Sequence, residues 1–416
     1  MRSDTPPVSR RRVVVTGLGV RTPAGNDVAS LWRTVLAGHS AIGPVERFDC
    51  ADLPVRFAGE VRDFHAADVL GAKGARQTDR VTHLGFAAAV DAVSDASLGR
   101  PDPQRCAVVV GTGLGGIASF HDQVQVFLTH GPTRFSPRAI PMIMPNATAA
   151  VIASRLDWTG PSTCVTTACA AGADAIGEGT TLIRNDLADI VIAGGAEAAV
   201  NVLGLAAFAR MGALSLRNDE PSRASRPFDA GRDGFVLSEG AAFVLLEERD
   251  HALRRGARVY GEVAGYGRAT DTYHITAPSP GGGGAVRCMR LALADAGLPP
   301  TGIGHVNAHG TATVANDASE AAAIGEVFGP ASPPVTATKG ALGHLIGAAG
   351  AVEAVVSLLA MRHGLVPPTA NFERPDPDLP VDVVAATPRP VGVRPVLSNS
   401  FGFGGQNASL VFTPAD

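Results

Sequence analysis

The sequence predicts an α/β fold with covered sheets, built from two repeated halves. Three observations predict it. Short, continuous β-branched runs, the mark of strands buried on both faces, alternate with alanine-rich stretches of helical spacing. Hydrophobic residues make up 45% of the 416 positions and charged residues only 18%, enough apolar side chain for a large core. The chain also echoes itself. RRVVVTGLGV resembles ARVYGEVAGYG, AVVVGTGLGG resembles HVNAHGTAT, and ADIVIAGGAE with GAAFVLLEE resembles PVLSNSFGFGG with NASLVFT.

Taken in order, residues 1–11 are polar and basic and are expected to form a disordered tail. The apolar run that follows, VVVTGLGV, is too short for a signal h-region or a membrane span, so the expected location is the cytoplasm, with no membrane association. Strands are expected at 12–19, 107–111, 189–194, 242–247, 259–266, 396–399 and 409–413. Helices are expected at 81–96, 147–156, 170–184, 283–296, 319–328 and 348–362. Each half then runs strand, helix, strand, helix and closes with a hairpin around a glycine-rich turn. The join falls near Arg255, giving an N-terminal half over 12–255 and a C-terminal half over 256–416. The small residues of the helices, with 49 glycines in the chain, imply tight packing between two sheets. The glycine run at 281–284, flanked by Pro278 and Pro280, reads as a surface loop. It lacks the Lys-Ser/Thr ending or strand–GxGxxG–helix order of a phosphate cradle.

Net charge is −4 and the basic residues form no long run, so no nucleic-acid partner is expected. The five cysteines, Cys50, Cys106, Cys164, Cys169 and Cys288, are odd in number and lack metal-type spacing, which excludes a disulfide framework and a zinc site. Only two of the 35 basic residues are lysines, Lys73 and Lys339. A lysine kept in an arginine-favouring chain points to a role that a guanidinium cannot fill.

The chemistry concentrates in three segments. In TTACAAGADAIGEG, Cys169 stands where an alanine-rich helix starts, and the positive end of the helix dipole with its free N–H groups favours thiolate. Cys164, in a strand-like stretch, lacks that setting and reads as structural. A nucleophilic cysteine needs groups for protons and for a developing oxyanion. His309 in NAHGTAT, and Lys339 with His344 in TATKGALGHLIGAAG, supply imidazoles and a cation in tight glycine contexts. Each histidine alone could equally be a hydrogen-bonded structural residue; the three together fit an anionic intermediate.

These residues carry a resemblance. TACA around Cys169, HGT around His309, Lys339-x₄-His344 and the GFGG turn resemble the elongating β-ketoacyl-acyl carrier protein synthases, most closely the synthase II type, over nearly the whole chain. The resemblance implies a thiolase-like five-layered αβαβα sandwich of two duplicated halves and a decarboxylating condensation. It implies that Cys169 takes an acyl chain from a carrier-protein thioester, and that His309 and His344 bind the malonyl carbonyl and promote decarboxylation. Lys339 would position His344 and its surroundings electrostatically. The N–H groups of Cys169 and Phe401 would form the oxyanion hole, with Phe401 also gating the thiol. Thr276, Thr311 and Thr313 match positions that hold the phosphopantetheine arm. Glu353 matches a buried carboxylate near Lys339. Asp317 and Glu320 match acids that order the second half, with a surface or cap role as the alternative.

Leu114, Met142, Ile143 and Phe208 are candidates for an apolar acyl pocket, or ordinary core residues. No metal or further cofactor is implied beyond the phosphopantetheine brought by the acyl carrier protein. The implied assembly is a homodimer or a heterodimer with a chain-length factor. Two departures, GALGH for the usual SMTGH and Gln406 for a common threonine, leave fatty-acid and polyketide or polyene assembly both open. A degradative thiolase would need a second cysteine near the C-terminus, but the last is Cys288. An initiating synthase would carry asparagine where His344 stands, and a chain-length factor would lack Cys169.

Overall fold

The structure, a computed structural model, describes residues 10–415. Most of the expected tail lies outside them. Its last two residues are held rather than free: Arg10 pairs with Asp295 (2.7 Å), and Arg11 with Asp186 (2.9 Å) and Asp189.

Ten strands form one hydrogen-bonded sheet in two equivalent sets. The first set is β1 (Val13–Arg21), β2 (Cys106–Gly111), β3 (Ser162–Val165), β4 (Ile190–Glu197) and β5 (Gly240–Glu248). The second is β6 (Gly261–Thr270), β7 (His305–Asn307), β8 (Val335–Thr336), β9 (Val396–Gly402) and β10 (Gln406–Thr413). The order across the sheet is β8-β7-β9-β10-β6-β1-β5-β4-β2-β3. Read outward from the centre, β1-β5-β4-β2-β3 repeats as β6-β10-β9-β7-β8. Each antiparallel or parallel pairing in one set recurs in the other. The sets meet where Val14 pairs with Glu262 and Val15 with Gly261. The sequence echo is thus a structural duplication, and Arg255 lies between β5 and β6.

Six helices complete the layers: α1 (Arg80–Asp95), α2 (Ala147–Leu156), α3 (Ala171–Arg184), α4 (Gly283–Ala296), α5 (Val314–Phe328) and α6 (Ala349–His363). The strands alternate their side chains between layers, as the two-residue period dictates. On β5, Ala242, Val244 and Leu246 face a central core with α3 and α6, while Ala241, Phe243 and Leu245 face an outer core with α1 and α2. On β10, Leu410 and Phe412 join the same central core and Val411 an outer one with α4 and α5. The layers are therefore α1/α2, first sheet half, α3/α6, second sheet half, α4/α5: a five-layered αβαβα sandwich.

Both expected edges of the helices hold closely, with α5 beginning five residues before its expected start because Thr313 caps it (3.3 Å to the Asn316 N–H). The segment Ile346–His363 is long and apolar enough to cross a membrane, but 89% of it is buried, as befits a helix walled by sheets on both sides.

Candidate active site

β3 leads through Thr167 into a tight turn, Ala168–Ala170, that runs straight into α3. Ala168 takes a left-handed φ of 49°, a conformation alanine disfavours, and this reversal turns the next side chain, Cys169, into a cavity of about 470 Å³. The GFGG turn after β9 packs on the same backbone. A Cβ on Gly402 would stand 2.8 Å from the Thr167 carbonyl oxygen and 3.1 Å from the Cys169 nitrogen, so only glycine fits.

The cavity gathers residues from both halves. Cys169, His309, His344 and Phe401 line it together, with Leu114 and Phe208 on its wall. Thr276, Thr311 and Thr313 line it too; Thr276 is exposed, while Thr311 and Thr313 share a hydroxyl hydrogen bond of 2.9 Å. The two imidazoles meet edge to face, 5.3 Å between centroids, and Phe235 closes on His344 at 5.2 Å with Phe208 behind it at 5.5 Å.

Lys339 sits behind this wall, 2% exposed, and its partner is His309 rather than His344. Its Nζ donates to the His309 carbonyl (2.6 Å), faces His309 Nδ1 (3.2 Å) and pairs with Glu353, which is buried on α6. Its hydrogen bonds thus go to His309, while its charge acts on His344 through space and lowers that ring's pKa after burial. His344 Nδ1 instead accepts the Ile346 N–H at 3.2 Å. These bonds fix the tautomers. Each Nδ1 acts as an acceptor, so each ring carries its proton on Nε2 as a donor.

Asp317 and Glu320 are buried, not surface residues. Glu320 accepts the N–H groups of His309 and Gly310, both at 2.8 Å, and Asp317 accepts those of Phe228 (2.7 Å) and Ala312 (3.2 Å). Together they hold the HGT turn in place. Met142 and Ile143 do not reach the cavity. They lie half-buried in a short helix, Ala139–Ile143, whose backbone packs on Gly116, and so form part of the supporting structure.

Electrostatics correct one expectation. Burial pushes the Cys169 thiol up to about 11, against the downward pull of the Lys339 charge and the Phe403 N–H. The resting group is a thiol despite its place at a helix start. Burial first, then Lys339, holds His309 and His344 well below the ordinary imidazole range, so both are neutral near pH 7. Burial raises Glu320 and Glu353 to about 7 and Asp317 to about 6.

Sequence reasoning missed several contributors. Phe403 supplies the N–H against the thiol, whereas Phe401 is registered opposite Asn407 in the hairpin; the GFGG motif signalled the turn but not which amide faces sulfur. Phe235 and Ile346 line the cavity without any sequence signal beyond hydrophobicity. Glu197, a carboxylate ending the apolar run ADIVIAGGAE, was legible as an anomaly and is fully buried beside the site.

Comparison with known proteins agrees with this geometry. Residues 10–252 match the family model of the β-ketoacyl synthase N-terminal domain and residues 260–373 that of its C-terminal domain. The chain is 46% identical over 409 residues to 3-oxoacyl-[acyl-carrier-protein] synthase 2 of Synechocystis sp., covering 97% of this chain and 98% of that one. Among solved structures, the ishigamide ketosynthase/chain length factor superposes with a TM-score of 0.93 at 38% identity, covering 98% and 100% of the two chains. A type II PKS acyl-carrier protein in complex with its ketosynthase bound to the hexaketide gives 0.89 at 30% identity, covering 98% and 100%. With a cysteine, two neutral imidazoles and a buried lysine joined across two duplicated halves, the chain belongs to the β-ketoacyl synthase family and is a condensing acyltransferase.

Proposed function

We propose that the protein condenses an acyl chain held on Cys169 with malonyl-acyl carrier protein, releasing carbon dioxide. The observation that carries this reading is the shared cavity of Cys169, His309 and His344, with Lys339 locking His309 from behind. In the first half-reaction the Cys169 sulfur attacks a carrier-protein thioester, and the carrier's thiol leaves with the proton. The N–H groups of Cys169 and Phe401 are assigned to the oxyanion, with the Phe403 N–H beside the sulfur. The arm of the carrier runs past Thr276 at the mouth to Thr311 and Thr313.

In the second half-reaction the malonyl thioester carbonyl faces two Nε2–H donors. Loss of carbon dioxide leaves the bonding pair as an enolate, whose oxygen the same donors stabilise. The enolate carbon attacks the acyl carbonyl, a carbon–carbon bond forms, and the carbon–sulfur bond to Cys169 breaks; the thiolate that leaves takes a proton from water, which restores the thiol. Decarboxylation itself generates the carbanion equivalent, so the reading requires no metal or redox group. The only prosthetic group is the phosphopantetheine of the carrier.

The partners assigned are an acyl carrier protein and a second chain of the same fold, either a copy or a chain-length factor, and the assigned compartment is the cytoplasm. Pairing is supported by the exposed apolar side chains Phe120, Phe127, Leu128 and Ile140 in the segment between β2 and β3, and by β3 standing at the sheet's edge. The relatives named above include a 3-oxoacyl-[acyl-carrier-protein] synthase 2 and a type II PKS ketosynthase, and fatty-acid and polyketide assembly both use this reaction.

Iodoacetamide or cerulenin should modify Cys169, and prior acylation should protect it. Labelling of Cys164 or Cys288 in its place, read by mass spectrometry, would overturn the assignment. Replacing His309 or His344 should spare acyl transfer more than malonyl decarboxylation; equal loss of both would make the histidines structural.

A further inference from the structure

Glu197 ends β4, is fully buried, and does not line the cavity. Its carboxylate nevertheless joins two separate walls of it. From the loop after β2 it accepts the Gly113 N–H (2.7 Å), the Leu114 N–H (3.4 Å) and the Thr112 hydroxyl (3.3 Å). From the turn that carries His344 it accepts the Gly347 N–H (3.2 Å), on the same oxygen that holds Gly113.

The neighbouring amide on that turn, Ile346 N–H, is the one that fixes His344 Nδ1. Ile346 holds a φ of 46°, which a β-branched residue adopts only when its surroundings force it. The two walls also touch. A Cβ on Gly347 would lie 2.3 Å from the Gly113 nitrogen, and one on Gly113 would lie 2.9 Å from Ile346 Cγ2 and 2.8 Å from Glu197 Oε2. There is no slack between them. A displacement of Leu114, which borders the acyl space, must pass through Gly113 and Glu197 to Gly347 and so to the strained residue that orients His344.

We infer that Glu197 is a positioning residue that couples occupancy of the acyl wall at Leu114 to the orientation of His344, so that malonyl decarboxylation is fastest when Cys169 carries a chain long enough to press on Leu114. The inference rests on the role proposed above for His344. It makes the order of the two half-reactions a property of the fold: the second is tuned by what the first has loaded.

The test loads Cys169 with acetyl or dodecanoyl groups from carrier protein, checks loading by intact mass, and follows carbon dioxide release from malonyl-carrier protein in a single turnover. The same two acyl-enzymes, with ¹⁵N-labelled histidine, report the His344 ring by NMR. In the wild type the dodecanoyl enzyme should decarboxylate about tenfold faster than the acetyl enzyme, within the usual range of site-to-site coupling, and the His344 ring signals should differ between the two. In Glu197→Gln the rate ratio should fall to within about twofold and the signal difference should vanish, with loading unchanged.

Should Glu197→Gln fail to fold, Leu114→Ala in the otherwise native enzyme removes the lever and should lower the ratio in the same way. A wild-type enzyme equally fast with both chains, or a variant that keeps the ratio and the signal difference, overturns the coupling alone. A loaded wild-type enzyme that releases no carbon dioxide overturns instead the assignment of His344 on which the coupling rests.

Discussion

Glu197 also allows a sharp test of which physical effect governs the buried carboxylates of this site. Four donors point at it, and donors to a carboxylate favour the ionised form; complete burial opposes them. Burial wins, raising the group from 4.5 to about 7. A raised acid is a stability statement. The folded state holds the proton more tightly than the unfolded chain, so the full contribution is present below about pH 4.5 and is lost as pH rises through about 7.

Glu197→Gln removes the titration while keeping one oxygen for the Gly113 and Gly347 N–H groups. Between about pH 5.5 and about pH 8 the wild type should lose about 2 kcal/mol that the variant does not. Urea unfolding of both proteins at the two pH values reads the difference directly. The variant's stability relative to the wild type should rise by that amount at the higher pH, whatever its value at the lower. A relative stability that does not change between the two pH values would show that the folded-state group is already ionised throughout the range, with the four donors matching or outweighing burial, and would refute the reasoning.

Two further outcomes are expected. Lys339→Arg keeps the charge but forces a larger, planar group into a site 2% exposed, an overpacking cost of about 1–3 kcal/mol; condensation should be mostly lost with the circular dichroism spectrum intact, and unchanged turnover would remove the case for lysine. The pH–rate profile of malonyl decarboxylation should show no acid limb at the ordinary imidazole value, because burial and the Lys339 charge hold His309 and His344 well below it. In Lys339→Met that limb should move up, since a cation that opposed protonation is gone; a wild-type limb near 6.5 would mean solvated imidazoles.

The sequence made the long elements legible because their physics is local. Runs such as VVV and AAFVLL are apolar at consecutive positions because both faces are covered, and α6 is alanine- and valine-rich all round for the same reason. β7 and β8 were legible only as an echo or not at all. They are three and two residues long, and His305 and Asn307 face inward from β7 without any apolar run to mark it. Cys169, His309, His344 and Lys339 could be picked out because each is an improbable residue in a small-residue context. What they touch could not. Lys339 is five residues from His344 and thirty from His309, yet it bonds the distant one, because β7 and β8 are hydrogen-bonded neighbours and end side by side. Met142 and Ile143 do not line the cavity with Leu114 because their short helix packs its backbone on Gly116, a contact that their apolar character alone did not reveal.

Duplication explains why the site needs both halves. Cys169 stands two residues before α3, and the turn carrying His344 leads into α6, the equivalent helix of the second half. The two helix starts abut so closely that a Cβ on Gly172 would lie 2.8 Å from the Gly347 carbonyl oxygen. Two positive helix ends are thereby aimed into one place, a field that favours any anion formed there. Yet the side chains are buried deeply enough that the thiol is pushed up to about 11 and the histidines stay neutral. Charge is thus disfavoured on the resting protein and welcomed on the reacting substrate. In the proposed reaction the enolate and the oxyanions arise where the donors already point, so stabilisation falls on the transition states rather than on the ground state. On the proposed roles, the first half contributes the acyl carrier and the second the donors that make its partner nucleophilic, and neither helix start alone could hold both.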